Sequence, residues 1–120
     1  MAVESRIDAD EEWFVGEDRV LRFVFDAGSD TSTIGDWSIV FELFGRRAGA
    51  LAAPLLSVAA TGVAAVADPA APAYAEATVP GEETAVLGPG IFRFVLRRTD
   101  AGFSQVLSFG VAQIRSAVQP

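Results

Sequence analysis

The fold of this chain is decided by the stretch Gly88-Pro-Gly-Ile-Phe-Arg-Phe-Val-Leu-Arg-Arg-Thr-Asp-Ala-Gly-Phe-Ser-Gln-Val-Leu-Ser-Phe-Gly-Val111. Apolar residues recur there with a period of two, which places one face of a β-strand on a core. The residues predicted to face the core are Phe92, Phe94, Leu96, Leu107, Phe109 and Val111. Between the two runs, Asp100-Ala-Gly102 supplies turn residues, with the glycine able to adopt positive φ. The stretch therefore predicts a β-hairpin.

The rest of the sequence predicts further short strands, with turn signals about every 8 to 12 residues as in β-sandwiches. They are expected over 12–15, 19–26, 37–44, 55–60, 62–67 and 74–79, with a turn near Thr61-Gly62 and one helical turn over 80–87. The strand over 37–44 has the clearest alternation, and its predicted core residues are Trp37, Ile39, Phe41 and Leu43. This pattern, with no long helix, predicts an all-β fold, an immunoglobulin-like antiparallel β-sandwich of seven or eight strands.

The domain organisation follows from length and charge. A chain of 120 residues is enough for one domain with its own core. We expect an acidic N-terminal arm over 1–11, a single β-sandwich domain over 12–116 and a short C-terminal tail over 117–120. The arm is interpreted as a solvated segment, and a docking tail or a weak calcium site stays open as an alternative.

The composition excludes several classes of chemistry. The sequence has no cysteine and no histidine, so it lacks a disulfide framework, a thiolate metal site and the commonest general base. A net charge of −7 disfavours a nucleic-acid surface, because phosphate binding requires clustered positive charge. We therefore expect a non-enzymatic protein, with no catalytic residue, no metal and no cofactor.

One stretch of the sequence has the length of a membrane span, and another has the acidic residues of a possible calcium-binding loop. Residues 48–67 carry no charge, but they are mostly alanine, interrupted by glycine, proline, serine and threonine. Because alanine adds little transfer free energy, we expect no membrane span there. Asp26, Asp30 and Asp36 bracket one loop without the spacing of an EF-hand, so no calcium site is expected.

Three stretches carry a resemblance to a known group of proteins. They are Val15-Gly-Glu-Asp-Arg-Val-Leu-Arg-Phe23, Gly35-Asp-Trp-Ser-Ile-Val-Phe-Glu-Leu43 and Leu87-Gly-Pro-Gly-Ile-Phe-Arg-Phe-Val-Leu-Arg-Arg-Thr-Asp100. In this order they resemble small β-sandwich domains of tailed bacteriophages, especially the N-terminal domain of baseplate upper proteins and related Ig-like tail modules. The resemblance implies a structural virion component that packs against copies of itself or against a larger tail or capsid protein.

The resemblance also bears on which virion part to expect. Baseplate upper proteins continue into further domains, whereas this chain ends at Pro120. The resemblance therefore favours a tail or baseplate accessory or adaptor subunit, or a capsid decoration, over a complete receptor-binding protein.

The candidate partner surface is the sheet face opposite the core. Apolar side chains clustered on a face that should meet water indicate a partner surface, whereas scattered ones need no explanation. The candidate interface residues are Val40, Phe44, Ile91, Val95 and Phe103, with Val106 and Ile114 as further members of the face. Phe103 falls at the predicted hairpin tip, where it is either a contact anchor or folds back on Arg97 or the sheet edge.

An alternative function is a carbohydrate- or host-surface-binding module. In that case Phe103, Trp13 and Tyr74 are the aromatic residues that would stack on sugar rings. The pairs Arg46-Arg47 and Arg97-Arg98 are interpreted as surface charge or as intersubunit partners of the acidic arm.

Overall fold

The computed structural model describes residues 3–7, 12–25, 31–47, 49, 52–67, 69–100 and 104–116. Within these ranges the strands are β1 (Val3–Ile7), β2 (Trp13–Phe14), β3 (Arg19–Val24), β4 (Ile39–Gly45), β5 (Leu56–Val63), β6 (Val66–Ala67), β7 (Ala70–Ala71), β8 (Tyr74–Val79), β9 (Gly90–Arg98) and β10 (Gln105–Arg115). A 3-10 helix, Ile34–Asp36, precedes β4, and the helix α1, Gly81–Leu87, joins β8 to β9. The predicted all-β class is confirmed.

One sheet holds most of the described strands. Its order is β1-β10-β9-β4-β5-β8-β3, with β2 also beside β10, while β6 and β7 pair separately. Strand β5 connects two halves of the sheet, one formed by β1, β10, β9 and β4 and the other by β8 and β3. It pairs with β4 from Leu56 to Ala60 and with β8 from Ala60 to Val63. The sheet is nearly closed on itself. Its concave side therefore encloses a single core.

The alternating residues predicted for the core are mostly found there. Buried side chains from four strands include Leu21, Phe23, Ile39, Phe41, Leu43, Ala75, Ala77, Val79, Phe92, Phe94 and Leu96. The ring centroids of Phe23, Phe41 and Phe94 lie 5.7 to 5.9 Å apart, within the range of favourable aromatic pairs. These rings bring together strands from both halves of the sheet.

The N-terminal boundary and the strand directions differ from the prediction. Val3–Ile7, which the sequence analysis assigned to a solvated arm, forms β1 and pairs in parallel with β10 between Ser108 and Ala112. Strand β2 continues this parallel pairing along the same edge of β10. The physical reason is that an edge strand presents unpaired backbone groups, which another extended segment satisfies. The sheet is therefore not purely antiparallel, and among the described residues it includes Val3–Ile7.

The predicted turn near Thr61-Gly62 is wrong, because β5 runs without interruption through both residues. At Gly62 the strand passes so close to the 3-10 helix that a Cβ atom would overlap the carbonyl oxygen of Ile34. Glycine at this position allows the backbone of β5 to approach the backbone of the 3-10 helix closely, and it does not form a turn.

Trp37 was predicted to begin a strand and to lie in the core, but it precedes β4 and is only half-buried. Its indole Nε1 donates a hydrogen bond to Thr33 Oγ1 at 2.9 Å, and the guanidinium of Arg98 lies 4.1 Å from its ring centroid. The indole N–H and the face of the ring therefore both have partners near the surface, and these partners hold Trp37 at the edge of the core.

The predicted helical turn is confirmed as α1, which is fixed against the turn between β2 and β3. The hydroxyl of Thr84, fully buried, accepts a hydrogen bond from Gly16 N at 2.9 Å and donates one to Gly81 O at 3.0 Å. Asp18 Oδ1 accepts a further hydrogen bond from Gly81 N at 2.6 Å. These bonds hold the helix in place while its outer side faces solvent.

Candidate functional site

A β-bulge in β10 determines which residues of the hairpin face outward. Val106 lies opposite Arg97, but the next paired residue, Ser108, lies opposite Leu96, so Leu107 is an extra residue. Leu107 and Ser108 are both buried, and the alternation of β10 is inverted after them. Phe109 and Val111, predicted for the core, are therefore each 41% exposed on the outer face. This corrects the sequence prediction, which assumed an unbroken period of two.

The inversion of β10 also reverses the prediction for Ile114. The sequence analysis placed this residue on the outer face, but the structure buries it in the core, together with Ala112. Both residues lie an even number of positions after Ser108 in the same strand, so their side chains point inward as the side chain of Ser108 does. One inserted residue accounts for the errors at Phe109, Val111 and Ile114.

The outer face of β4, β9 and β10 contains an apolar groove. Its volume is about 220 Å³, and its lining includes the side chains of Phe44, Val95 and Phe109. In the sheet register Val95 lies between Glu42 of β4 and Phe109 of β10, and Phe44 lies opposite Arg93. Three strands thus each contribute one large apolar side chain to one surface, which we call the outer groove.

Two arginines border the outer groove. Arg93 and Arg97 lie on β9 on either side of Val95 and contribute to the lining. Arg97 Nε lies 3.3 Å from Glu42 Oε1. Both atoms are buried, but their geometry is not that of a hydrogen bond. Arg97 and Glu42 therefore form an ion pair at the border of the groove.

The structure brings together part of the predicted interface. Phe44 and Val95 line the outer groove, whereas Val40 and Ile91 lie on the same strands outside its lining. Val40 is half-buried and Ile91 is 41% exposed. Phe103 lies outside the described residues. Sequence reasoning missed Phe109, because nothing in the residue pattern marks Leu107 as the extra residue of a bulge.

A polar cluster lies at the end of β9 near the described limit of the hairpin. Asp100 accepts hydrogen bonds from Arg98 Nε at 2.8 Å and from Ser38 N at 2.5 Å. The Arg98 guanidinium first, and then the Ser38 backbone amide, lower the pKa of Asp100 below its usual value because both favour the ionised carboxylate. Arg98 also stacks on Trp37, so the cluster is internally paired and ties β9 to the segment before β4.

The aromatic residues proposed for sugar stacking have other roles in the described structure. Trp13 is fully buried. The ring of Tyr74 is covered by the guanidinium of Arg22, 4.1 Å from its centroid, and Arg22 also forms an ion pair with Glu76 at 2.7 Å. The described residues thus leave no open aromatic platform at either position.

The search for other sites gives few candidates. No group of acidic residues among the described ranges could hold a metal ion, and Asp26 and Asp30 lie outside those ranges. Within the same ranges no helix is long and apolar enough to cross a membrane. No protein-family model matches the sequence, and a comparison with curated proteins finds no similar sequence. The outer groove, to which three strands each contribute a large apolar side chain, supports the functional proposal.

Proposed function

We propose that the protein is a non-enzymatic structural subunit of a phage virion, a tail or baseplate accessory or adaptor protein or a capsid decoration. It acts by packing its outer groove against copies of itself or against a larger tail or capsid protein. The observation that carries the packing proposal is the groove itself, in which Phe44, Val95 and Phe109 meet on a solvent-facing sheet. The assignment to a virion rests on the resemblance of the three sequence stretches given above.

We also propose that the sheet is an immunoglobulin-like sandwich. Strands β9, β10 and β4 are adjacent, as F, G and C are in such domains, and β3 and β8 are adjacent, as B and E are. The change of partner along β5, from β4 to β8, lets one strand pass between the two halves. The fold then supplies a rigid platform for the outer groove.

Energetics support packing through this face. Removing one large apolar side chain from water contributes about 1.5 to 3 kcal/mol. Because Phe44 and Val95 are already half-buried and Phe109 is 41% exposed, covering the three side chains would contribute only part of this free energy for each, before the entropic cost of binding.

The test is self-association of the double variant Phe44→Glu/Val95→Glu, measured by light scattering beside the wild-type protein. We expect the wild type to form a defined oligomer and the variant to be monomeric, with an unchanged far-UV spectrum. Because Val95 and Phe44 are half-buried, Phe109→Glu provides a second variant that disturbs the fold less. An oligomer that survives both changes would contradict packing through the outer groove.

The carbohydrate-binding alternative is tested separately on a glycan array. The packing proposal predicts no selective glycan binding by the isolated protein. Selective binding that Phe103→Ala removes would instead support the alternative.

A further inference from the structure

Strand β3 forms one end of the large sheet and leaves one of its edges open. Among the described strands β3 pairs with β8 alone, whereas β1 and β2 cover the outer edge of β10 at the other end of the sheet. The edge of a strand carries a row of backbone N–H and C=O groups with which another extended segment can pair. The open edge of β3 is therefore a candidate interaction surface.

The register of β3 on β8 identifies the residues whose backbone groups point away from the sheet. Phe25 N donates a hydrogen bond to Ala73 O at 2.9 Å, and the two residues lie opposite each other in the continuation of this register. Along an antiparallel strand, residues bonded to one neighbour alternate with residues whose groups point the other way. The odd-numbered residues of β3 are therefore bonded to β8. The residues whose N–H and C=O groups point toward the open edge are Val20, Arg22 and Val24.

Strand β3 lacks the features that commonly protect an edge, which are proline, a bulge or an uncompensated charge. Its pairing with β8 is continuous over all six residues, and none of them is proline. The guanidinium of Arg22 is paired with Glu76 at 2.7 Å on the neighbouring strand. Within the part of the chain that the structure describes, no other strand covers this edge. The edge is thus regular, extended and open to pairing.

The open edge is complementary to a second copy of itself. Two antiparallel strands related by a two-fold axis exchange N–H and C=O groups reciprocally, so one row of groups serves both copies. An axis at Leu21 places Val20 of each copy opposite Arg22 of the other, with their outward backbone groups facing each other. An axis at Arg22 is disfavoured, because it would place two arginines directly opposite each other.

We infer that β3 of one copy pairs with β3 of a second copy across a two-fold axis at Leu21, which extends the sheet from one copy into the next. This contact goes beyond the proposed packing, because the outer groove lies on β4, β9 and β10. One strand of six residues offers a small interface, and small interfaces are weak. We therefore expect a dissociation constant of about 1 mM, so that the contact forms where copies are held close together in an assembly.

Amide hydrogen exchange measured by NMR tests the contact, because it reports each backbone N–H of β3 separately. The full chain carries Phe109→Glu, so that packing through the outer groove does not contribute. The amides of Leu21 and Phe23 should exchange slowly at every concentration, since they are bonded to β8. Those of Val20 and Arg22 should exchange fast at about 0.1 mM and at least about twofold more slowly at about 2 mM, where most copies are paired.

Two substitutions at Val20, which is 55% exposed, test the edge directly. Val20→Lys places a positive charge opposite Arg22 of the second copy and should abolish the concentration dependence at Arg22. Val20→Pro removes the outward N–H and should have the same effect with an unchanged far-UV spectrum, because that N–H is not bonded to β8. Val86→Lys is the matched control, since Val86 is 86% exposed on α1, outside the sheet, and its exchange should vary with concentration as in the parent.

Three outcomes would overturn the inference. Exchange at Val20 and Arg22 that does not change with concentration would exclude pairing with a second copy. Slow exchange at both residues even at the lowest concentration would show that the edge is already covered within one copy. An equal concentration dependence in Val20→Lys and Val86→Lys would place the contact elsewhere. Because Phe109→Glu is present throughout, each result is independent of whether the outer groove packs.

Discussion

Phe109 of β10 lies directly opposite Val95 of β9, and the two side chains line the same outer groove. The bulge at Leu107 produces this relationship, because without the extra residue Phe109 would point into the core. A single inserted residue therefore converts a core aromatic position into a surface one. The groove exists because the hairpin is irregular at that point.

The orientation of the hairpin residues is tested by comparing two phenylalanines. Phe94 is 1% exposed and contacts the aromatic core, so Phe94→Ala should reduce the free energy of unfolding by about 3 to 5 kcal/mol. Phe109→Ala should reduce it by less than about 1 kcal/mol, because the side chain is partly solvated already. Denaturant unfolding at low protein concentration measures both. Similar losses for the two variants would contradict the bulge.

The close approach of β5 to the 3-10 helix is tested at Gly62. Gly62→Ala places a Cβ atom against the carbonyl oxygen of Ile34, so we expect a loss of about 1 to 3 kcal/mol in the free energy of unfolding. Gly35→Ala is the matched control, since a Cβ atom there meets nothing within 4 Å. Chemical unfolding of the two variants should differ accordingly. A tolerated Gly62→Ala would contradict the close approach of β5 to the carbonyl oxygen of Ile34.

The anchoring of α1 depends on the Thr84 hydroxyl. Thr84→Val removes it at nearly constant volume and leaves the Gly16 amide without its acceptor, which should destabilise the protein by about 1 to 3 kcal/mol. Thr84→Ser keeps the hydroxyl and serves as the control. Hydrogen exchange at Gly16 should become faster in the valine variant. Unchanged exchange and stability would show that packing alone holds the helix.

The Asp100 cluster predicts a pH dependence. Arg98 is the main cause of the lowered pKa of Asp100 in the folded state, so the stabilisation from its carboxylate is complete above the ordinary pKa of 3.8 and is lost as pH falls through the folded value. The difference in unfolding free energy between the wild type and Asp100→Asn should be constant near neutral pH and shrink below about pH 4. Thermal or urea unfolding between neutral and acidic pH measures this difference. A difference that does not vary with pH would show that the carboxylate charge is not involved.

The sequence was sufficient for the regular parts of the fold. Alternation in the regions of β4 and β9 correctly predicted that Ile39, Phe41, Leu43, Phe92, Phe94 and Leu96 are buried, because each strand is uninterrupted and packs one face on the core. Gly62 misled the prediction because glycine is used both for turns and for close approach, and only the position of Ile34 distinguishes them.

The site was predictable only in part. Phe44 and Val95 follow from the alternation of their strands, and both are in the outer groove. Phe109 does not, because the position of a bulge depends on hydrogen bonding with the neighbouring strand rather than on composition. The exposure of Val86 likewise depends on how α1 docks against the Gly16 turn, a tertiary contact without a local signal.

The most direct test of the central claim, that the outer groove is a self-packing surface, is the mass of the wild-type protein and of Phe109→Glu by light scattering over a concentration series. The account predicts a defined oligomer for the wild type and a monomer for the variant at the same concentrations. A wild-type protein that stays monomeric throughout, or a variant with the wild-type mass, would contradict it.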